Sequence, residues 1–223
     1  MVKIGVAGAY GAFGLKHLDA LANIPNAEVT AVFGPNKDKI EALATERDIA
    51  SACSSFDAFL AADVDAVILS TPTQMHAEQS VQAMEAGKHT FSEIPMADSL
   101  EDAETMVAAQ ERTGVVGMVG HVRRFNPSHQ YIRNKIDAGE FNIQQMDAQT
   151  YFFRRSNLNA KGEPRSWTDH LLWHHACHTI DLFMYQTGEI PSEVFGLQGP
   201  AHPELGIAMD MTIGMKTPTG KLC

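Results

Sequence analysis

The sequence predicts an α/β protein: an N-terminal Rossmann domain with a doubly wound parallel sheet, followed by an α+β domain with an open, mainly antiparallel sheet. Two observations support this fold class. Apolar strands alternate with helical segments up to about residue 121, and a glycine-rich turn follows the first strand directly. Beyond that point the alternation ends, and a long helical segment precedes two strands with no helix between them. We therefore assign a dinucleotide-binding domain to residues 1–121 and a second domain to 122–223.

The first domain is expected to contain five strands joined by helices. Short apolar runs bounded by turn residues predict strands at 2–7, 28–33, 64–70, 88–92 and 115–120. The remaining segments predict helices at 15–24, 38–47, 56–60, 74–86 and 99–113. In parallel sheets of this kind, ligands bind beyond the carboxyl ends of the strands. The segments that follow these strands are therefore the first candidates for a binding site.

A glycine turn between the first strand and the first helix predicts a nucleotide-binding loop. Gly8, Gly11 and Gly14 have the spacing G-x-x-G-x-x-G in a strand–turn–helix context. Glycines let the backbone approach a pyrophosphate, and a helix N-terminus offers free N–H groups and a positive dipole end. A plain tight turn is the alternative. The expected cofactor contacts in this loop are Gly8, Tyr10, Gly11, Ala12, Phe13 and Gly14.

The end of the second strand indicates NADP rather than NAD. NAD-binding domains usually carry an acidic residue here, which binds the 2′-hydroxyl of the adenosine ribose. This chain instead has Gly34, followed by Asn36 and Lys37. No carboxylate is present to repel a 2′-phosphate, and Lys37 or Lys39 can pair with one. The alternative is that both lysines are solvated charges of the next helix.

Two further strand ends are expected to contact the cofactor. The strand at 64–70 runs into a Thr-Pro-Thr turn and a helix, and the strand at 88–92 runs into Glu-Ile-Pro. His76, at the start of that helix, is expected to support the cofactor loop rather than to take part in chemistry. The residues assigned to the cofactor here are Thr71, Pro72, Thr73, His76, Glu93 and Ile94.

A row of histidines lies on a long helix predicted at 166–188 in the second domain. His170, His174 and His178 are spaced by four residues and so share one helical face, and Gly188 stands where a C′ glycine belongs. The other elements predicted in this domain are a helix at 126–138 and strands at 145–153, 193–197 and 207–216. Because the chain ends seven residues after the last strand, we expect C-terminal sequence to be missing.

Composition argues against several classes of partner. A net charge of −10 disfavours binding to nucleic acid and to anionic membranes. No apolar run approaches the roughly 18 residues that a membrane helix needs. Three cysteines without a disulfide or metal spacing fit a reducing cytoplasm. Between His121 and Arg165, eight Lys and Arg against four Asp and Glu indicate either an anionic small molecule or a solvated basic face.

Several segments resemble the Gfo/Idh/MocA oxidoreductases, namely VDAVILSTPTQMHAEQSVQAMEAGKHTFSEIPMADSLEDAE, GHVRRFNPSHQYIRNKIDAGE and HTIDL. The resemblance covers essentially the whole chain. It implies a nicotinamide cofactor, a position of Glu93 near the nicotinamide, and a homodimer. Residues 150–183 and QGPAHPELGIAMDM are similar to the branch of this family that acts in protocatechuate 4,5-cleavage. That similarity implies NADP-dependent oxidation of a cyclic hemiacetal with two carboxylates to a pyrone dicarboxylate.

Two positions depart from the family pattern. The Glu-Lys-Pro motif of the family is Glu-Ile-Pro at 93–95, so the lysine that takes part in proton transfer is absent. The family's catalytic histidine matches His178, and the aspartate four residues before it is His174 here. We therefore expect His178 to be the general base and His174 to orient the substrate or relay its proton. His170 and His175 are expected to serve packing and hydrogen bonding.

Arginines are the expected ligands of a substrate with two carboxylates, because a guanidinium group binds a carboxylate bidentately. About half of the arginines near the histidine helix are expected to be structural, and Arg154 and Arg155 stay open as candidates. No metal site is expected, because no carboxylate or cysteine is well placed beside the histidines. The residues assigned to the substrate are Arg123, Arg124, Arg165 and Trp167.

Two other functions stay open at this point. One alternative is another oxidoreductase of the family, acting on a sugar or a diol. The chain can also be read as a non-catalytic NADP-binding sensor, which the isoleucine at position 94 would favour. Turnover with any substrate would separate the enzyme from the sensor.

Overall fold

The computed structural model describes residues 1–151, Leu158 and residues 170–223. The chain divides into two compact units, Met1–Gly120 and His121–Cys223, which we describe separately. The first unit has the α/β fold predicted from the sequence, and the second has helices and a small antiparallel sheet.

The first unit is built on a six-stranded parallel sheet with the order β3-β2-β1-β4-β5-β6. Chain order reverses between β1 and β4, so the topological switch point lies where these two strands end. The strands are β1 (Val2–Ala7), β2 (Ala27–Phe33), β3 (Ser51–Cys53), β4 (Ala66–Leu69), β5 (His89–Ser92) and β6 (Gly117–Val119). The sequence prediction lacked β3, a three-residue edge strand that is too short for a periodic signal.

Helices cover both faces of this sheet, and most of them begin at a side-chain cap. Asn36, Ser55 and Ser99 each accept a hydrogen bond from a backbone N–H of the first turn. Two helices lack such a cap, namely His76–Glu85 and α1 (Ala12–Leu21), whose N-cap Gly11 has no side chain to act as an acceptor. The helices are α1 (Ala12–Leu21), α2 (Lys37–Arg47), α3 (Phe56–Leu60), α4 (His76–Glu85) and α5 (Leu100–Thr113), and a 3-10 turn at Thr73–Met75 precedes α4.

Two apolar cores lie on opposite faces of the sheet, as period-2 alternation along buried strands requires. On β1, Val6 packs with Leu18 and Ile40 on one face. Its neighbour Ala7 packs with Phe59 and Leu69 on the other face. Both cores lie directly beneath the carboxyl ends of β1 and β4, so these ends are held by well-packed strands.

The second unit carries the histidine helix and a two-stranded antiparallel sheet. A 3-10 turn at Val122–Phe125 leads into α6 (Pro127–Asp137), which Asn126 caps. A π-helical turn at Leu172–Ala176 continues into α7 (Cys177–Thr187). The sheet pairs β7 (Glu193–Gln198) with β8 (Met211–Lys216).

Three sequence expectations for this unit need correction. The π turn breaks the regular spacing of four residues, because a π turn holds more residues than an α turn, so His174 is not simply stacked one turn before His178. Within 145–151, the described part of the strand expected at 145–153, the pairing is limited to an isolated bridge of Gln145 with Leu222, since the C-terminal residues also pair with β8. The last strand begins at Met211 rather than at residue 207.

Candidate functional site

The glycine turn is packed too tightly for side chains at two of its three glycines. A Cβ atom on Gly8 would lie 2.5 Å from the carbonyl oxygen of Ser70, and φ at Gly8 is +71°. A Cβ on Gly14 would lie 2.3 Å from the carbonyl oxygen of Gly8. These close approaches bring the start of α1 against the ends of β1 and β4. Because no side chain caps α1, the N–H groups of its first turn are left for a ligand such as a pyrophosphate.

The residues after β2 form a compact platform beside this loop. The Tyr10 hydroxyl accepts a hydrogen bond from the backbone N–H of Asn36 at 3.2 Å. Its ring fills the space beside Gly34, where a Cβ atom would lie 2.3 Å from the ring. The Lys37 side chain is 71% exposed and forms a loose 3.8 Å pair with Glu41. Lys39 lies over the Tyr10 ring, 6.0 Å from its centroid. Two cations and a helix N-terminus thus lie where a 2′-phosphate would be expected.

The turns after β4 and β5 are tied together by one buried histidine. The two ring nitrogens of His76 lie 2.8 Å from the carbonyl oxygens of Pro95 and Thr71, respectively. The Thr71 hydroxyl donates to Gln79 at 2.6 Å, and Pro72 precedes the 3-10 turn that Thr73 begins. His76 therefore fixes the backbone of both turns.

A second histidine, His17 on α1, holds the Glu93 side chain. Its Nε2 donates to the Glu93 Oε1 at 2.7 Å, and the backbone N–H of Ile94 donates to the Oε2 at 3.3 Å. Both side chains are largely buried. Sequence reasoning missed His17, because its partner is 76 residues away and nothing local marks the pair.

In the second unit, His178 is surrounded by groups that keep its ring neutral. Burial lowers the pKa of His178, and the positive charge of Arg123 and the nearby His121 and His175 lower it further, while Asp181 opposes them. The Nδ1 atom of His178 is buried and has no hydrogen-bond partner in the part of the chain that the structure describes. A neutral imidazole with a free ring nitrogen can accept a proton, which suits the role of a general base.

His121 also acts on His178, and the sequence analysis gave it no role. Its Nδ1 lies 3.8 Å from the Asp181 carboxylate, beyond hydrogen-bond distance. Burial lowers the pKa of His121, and the Arg124 charge adds to this, although Asp181 acts in the opposite direction. Its place directly after a strand end was the only signal in the sequence.

The two adjacent arginines of the predicted substrate set have different surroundings. The Arg124 guanidinium binds both carboxylate oxygens of Asp181, with its Nε 2.9 Å from the Oδ2, and this pair raises the pKa of Arg124. Arg124 is therefore occupied by a structural ion pair. Among the described residues, the one hydrogen bond given for the Arg123 side chain is a 3.5 Å contact with the Thr150 hydroxyl, and its charge acts on His178. Of the two, Arg123 is the one available to an anionic ligand.

Four of the other residues considered in the sequence, Arg154, Arg155, Arg165 and Trp167, lie outside the described residues. His170 accepts a hydrogen bond from the backbone N–H of Leu172 and so helps to begin the helix. His174 lies half-buried in the π turn. Burial raises the pKa of Cys177 to about 11, so this thiol stays protonated and unreactive at neutral pH.

The second unit also contains a cavity of about 400 Å³. It is lined by apolar side chains such as Ile180 and Met215, together with Asp147, Asp210 and His175. Neither His174 nor His178 lines it, and two carboxylates make it a poor site for an anionic substrate.

Within the described residues, no three His, Cys, Asp or Glu side chains are grouped to hold a metal ion. No helix in the same residues has the length and apolar character needed to cross a membrane.

Known proteins match the chain in both units. Residues 2–121 match the oxidoreductase family with an NAD-binding Rossmann fold, and residues 127–223 match the C-terminal domain of bacterial oxidoreductases. Among solved structures, scyllo-inositol dehydrogenase from Lactobacillus casei, with bound NAD(H), has a TM-score of 0.79 at 22% identity over 100% of this chain and 68% of that one. UDP-N-acetylglucosamine 3-dehydrogenase from Acidithiobacillus ferrooxidans has a TM-score of 0.81 at 27% identity, over 99% and 67%.

Two characterised relatives match the whole chain. The 4-carboxy-2-hydroxymuconate-6-semialdehyde dehydrogenase of Sphingobium sp. is 58% identical over 223 residues, and the match covers 70% of that protein. The 2,7-anhydro-N-acetylneuraminate hydratase of Escherichia coli is 34% identical, and 60% of its length is covered. With both units matched, the chain belongs to the Gfo/Idh/MocA oxidoreductase family, whose Rossmann domain binds a nicotinamide cofactor.

Proposed function

We propose that this chain carries the machinery of an NADP-dependent dehydrogenase that oxidises the cyclic hemiacetal of 4-carboxy-2-hydroxymuconate-6-semialdehyde to 2-pyrone-4,6-dicarboxylate. The observation that carries the proposal is the 58% identity with the Sphingobium dehydrogenase of that name over the whole chain. The predicted place of this reaction is protocatechuate 4,5-cleavage.

The first unit supplies the residues that would hold the cofactor. The Gly8–Gly14 loop and the uncapped start of α1 suit the pyrophosphate. Lys37 and Lys39, with no carboxylate beside them at the end of β2, favour a 2′-phosphate and hence NADP. When bound, the nicotinamide accepts a hydride from the substrate carbon.

The second unit supplies the residues that would act on the substrate. The oxidation must also remove the hydroxyl proton, and His178, whose lowered pKa favours the neutral ring, would accept it. Arg123 would bind a carboxylate of the substrate, and its charge also favours the neutral form of His178. The hydroxyl of a hemiacetal is more acidic than that of an ordinary alcohol, so the reaction is less dependent on the lysine that Ile94 replaces.

The proposal is tested by following absorbance at the NADPH band with the ring-cleavage product as substrate. We expect NADP to be reduced, and NAD to be a poorer acceptor because it lacks the 2′-phosphate. Turnover of inositols or diols, without turnover of the hemiacetal, would point to a different oxidoreductase of the family. Tight NADP binding without turnover of any of these substrates would point to a sensor. A homodimer is also proposed, and light scattering after size exclusion would test it.

A further inference from the structure

The carboxyl end of β5 is anchored to the cofactor loop through a single side-chain pair. His17 projects from α1, one turn after the glycine loop, and its Nε2 donates to the Glu93 Oε1 at 2.7 Å. Glu93 follows β5 directly, and its Oε2 accepts from the backbone N–H of the next residue, Ile94. Both oxygens of one carboxylate are therefore used, one to hold α1 and one to shape the turn.

Packing leaves this pair little freedom to move. The His17 ring meets the Phe91 ring edge-on, with centroids 5.5 Å apart. A Cβ atom on Gly120 would lie 2.9 Å from the Phe91 ring and 3.3 Å from the Glu93 Oε2. The side chains of His17 and Glu93 are 22% and 12% exposed, so the hydrogen bond is largely shielded from water. A charged hydrogen bond in such a place is stronger than one at the surface.

The pair lies on the nicotinamide side of the binding site. In a Rossmann sheet the adenosine ribose lies at the end of the second strand, so the half built on β4–β6 takes the nicotinamide nucleotide. We propose that His17 is a positioning residue for the nicotinamide half of the cofactor, acting through Glu93 to fix the turn at 93–95. The proposal rests on the dinucleotide-binding function proposed above.

The test separates the two halves of the cofactor by using two ligands. NADPH occupies both halves, and adenosine 2′,5′-bisphosphate occupies only the adenosine half. His17→Leu removes the donor but keeps an apolar side chain against Phe91. We expect it to weaken NADPH binding by about tenfold, which is the scale of one charged hydrogen bond. Binding of the bisphosphate should not change, which would also show that the variant is folded.

Rescue and control variants sharpen the test. His17→Gln keeps an amide donor close to the position of Nε2 and should restore most of the NADPH affinity. Arg112→Gln is the matched control, since it removes another pair between a cation and a carboxylate, that of Arg112 with Glu85. Those residues lie in the last turns of α5 and α4, at the amino ends of the strands and so on the side opposite the expected ligand. This control should bind both ligands like the unmodified chain.

A double variant tests whether the two side chains act as one unit. If they do, His17→Leu combined with Glu93→Gln should lose no more NADPH affinity than the more damaging single change. Equal weakening of NADPH and the bisphosphate by His17→Leu would overturn the proposal, because it would place the effect on the whole loop. Unchanged NADPH affinity would overturn it as well. If the unmodified chain bound no NADPH, the proposed function itself would fail, and this inference with it.

Discussion

A methyl group added at Gly8 should abolish tight cofactor binding, whereas the same change at Gly87 should not. Both glycines have a left-handed backbone, with φ of +71° and +75°. Alanine pays about 1–2 kcal/mol for this conformation at either site. The two sites differ in the room for a side chain, because a Cβ on Gly8 would lie 2.5 Å from the backbone oxygen of Ser70 and a Cβ on Gly87 has no neighbour within 4 Å. They also differ in place, since Gly8 lies in the glycine turn and Gly87 lies between α4 and β5.

The size of the effect at Gly8 follows from this contact. A carbon–oxygen contact needs about 3.3 Å, so the loop and the end of β4 must separate by about 0.8 Å. The neighbour is backbone, held by the hydrogen bond from the Ser70 N–H to the Ala7 carbonyl, and no side-chain rotation relieves the clash. Overpacking of this kind costs about 1–3 kcal/mol beyond the backbone strain. A displacement of nearly 1 Å at a binding loop corresponds to roughly 100-fold in function.

The assay is NADPH binding by fluorescence, together with thermal unfolding. We expect Gly8→Ala to bind NADPH about 100-fold more weakly and Gly87→Ala to bind it like the unmodified chain. Gly87→Ala should still lose about 1 kcal/mol of stability, which would show that a loss of stability of this size does not by itself weaken NADPH binding. Equal NADPH affinity for the two variants would refute the assignment of this loop to the cofactor.

Three further predictions concern single side chains. Lys37→Glu should weaken NADP binding by about tenfold and leave NAD binding nearly unchanged, because the charge acts only on the 2′-phosphate; equal losses for both cofactors in parallel titrations would count against this. Because the pKa of His178 is lowered below 6.5, kcat/KM should stay level through neutral pH and fall only in acid. Arg123→Met removes one cause of that lowering, so it should move the acid limb of the pH profile to higher pH. An acid limb that does not move would show that the Arg123 charge does not act on His178. Lys221 and the neighbouring threonines lower the pKa of Glu189 to about 2, so their stabilising effect is complete above pH 4.5 and fades as pH falls toward 2. Lys221→Met should therefore lower Tm most above pH 4.5 and least near pH 2, and a Tm difference independent of pH would contradict this.

Local patterns were sufficient to predict the first unit. The alternation of strands and helices and the glycine turn both act over a few residues, and the parallel sheet follows from them. Six of the predicted cofactor contacts come from that turn alone, and they stay predictions. The edge strand β3 escaped because three residues give no period to detect.

The second unit shows what local patterns do not encode. A spacing of four predicts stacked histidines only if the helix is regular, and the π turn at 172–176 has no signature in the residue periodicity. Arg123 and Arg124 are adjacent and chemically equal in the sequence. Only the fold shows that Arg124 forms an ion pair with Asp181, which lies 57 residues away in the chain. The His17–Glu93 pair was missed for the same reason, since its two members are far apart in the chain.

The central claim is that His178 accepts the substrate proton in a chain that lacks the family's lysine. Its most direct test is the rate of NADPH formation by His178→Ala at saturating NADP and hemiacetal, with NADPH affinity measured alongside. We expect kcat to fall by about 10²–10⁴-fold, which is the range of general base catalysis, while NADPH binds as before. A variant that keeps the kcat of the unmodified chain would contradict the claim and remove His178 from the reaction.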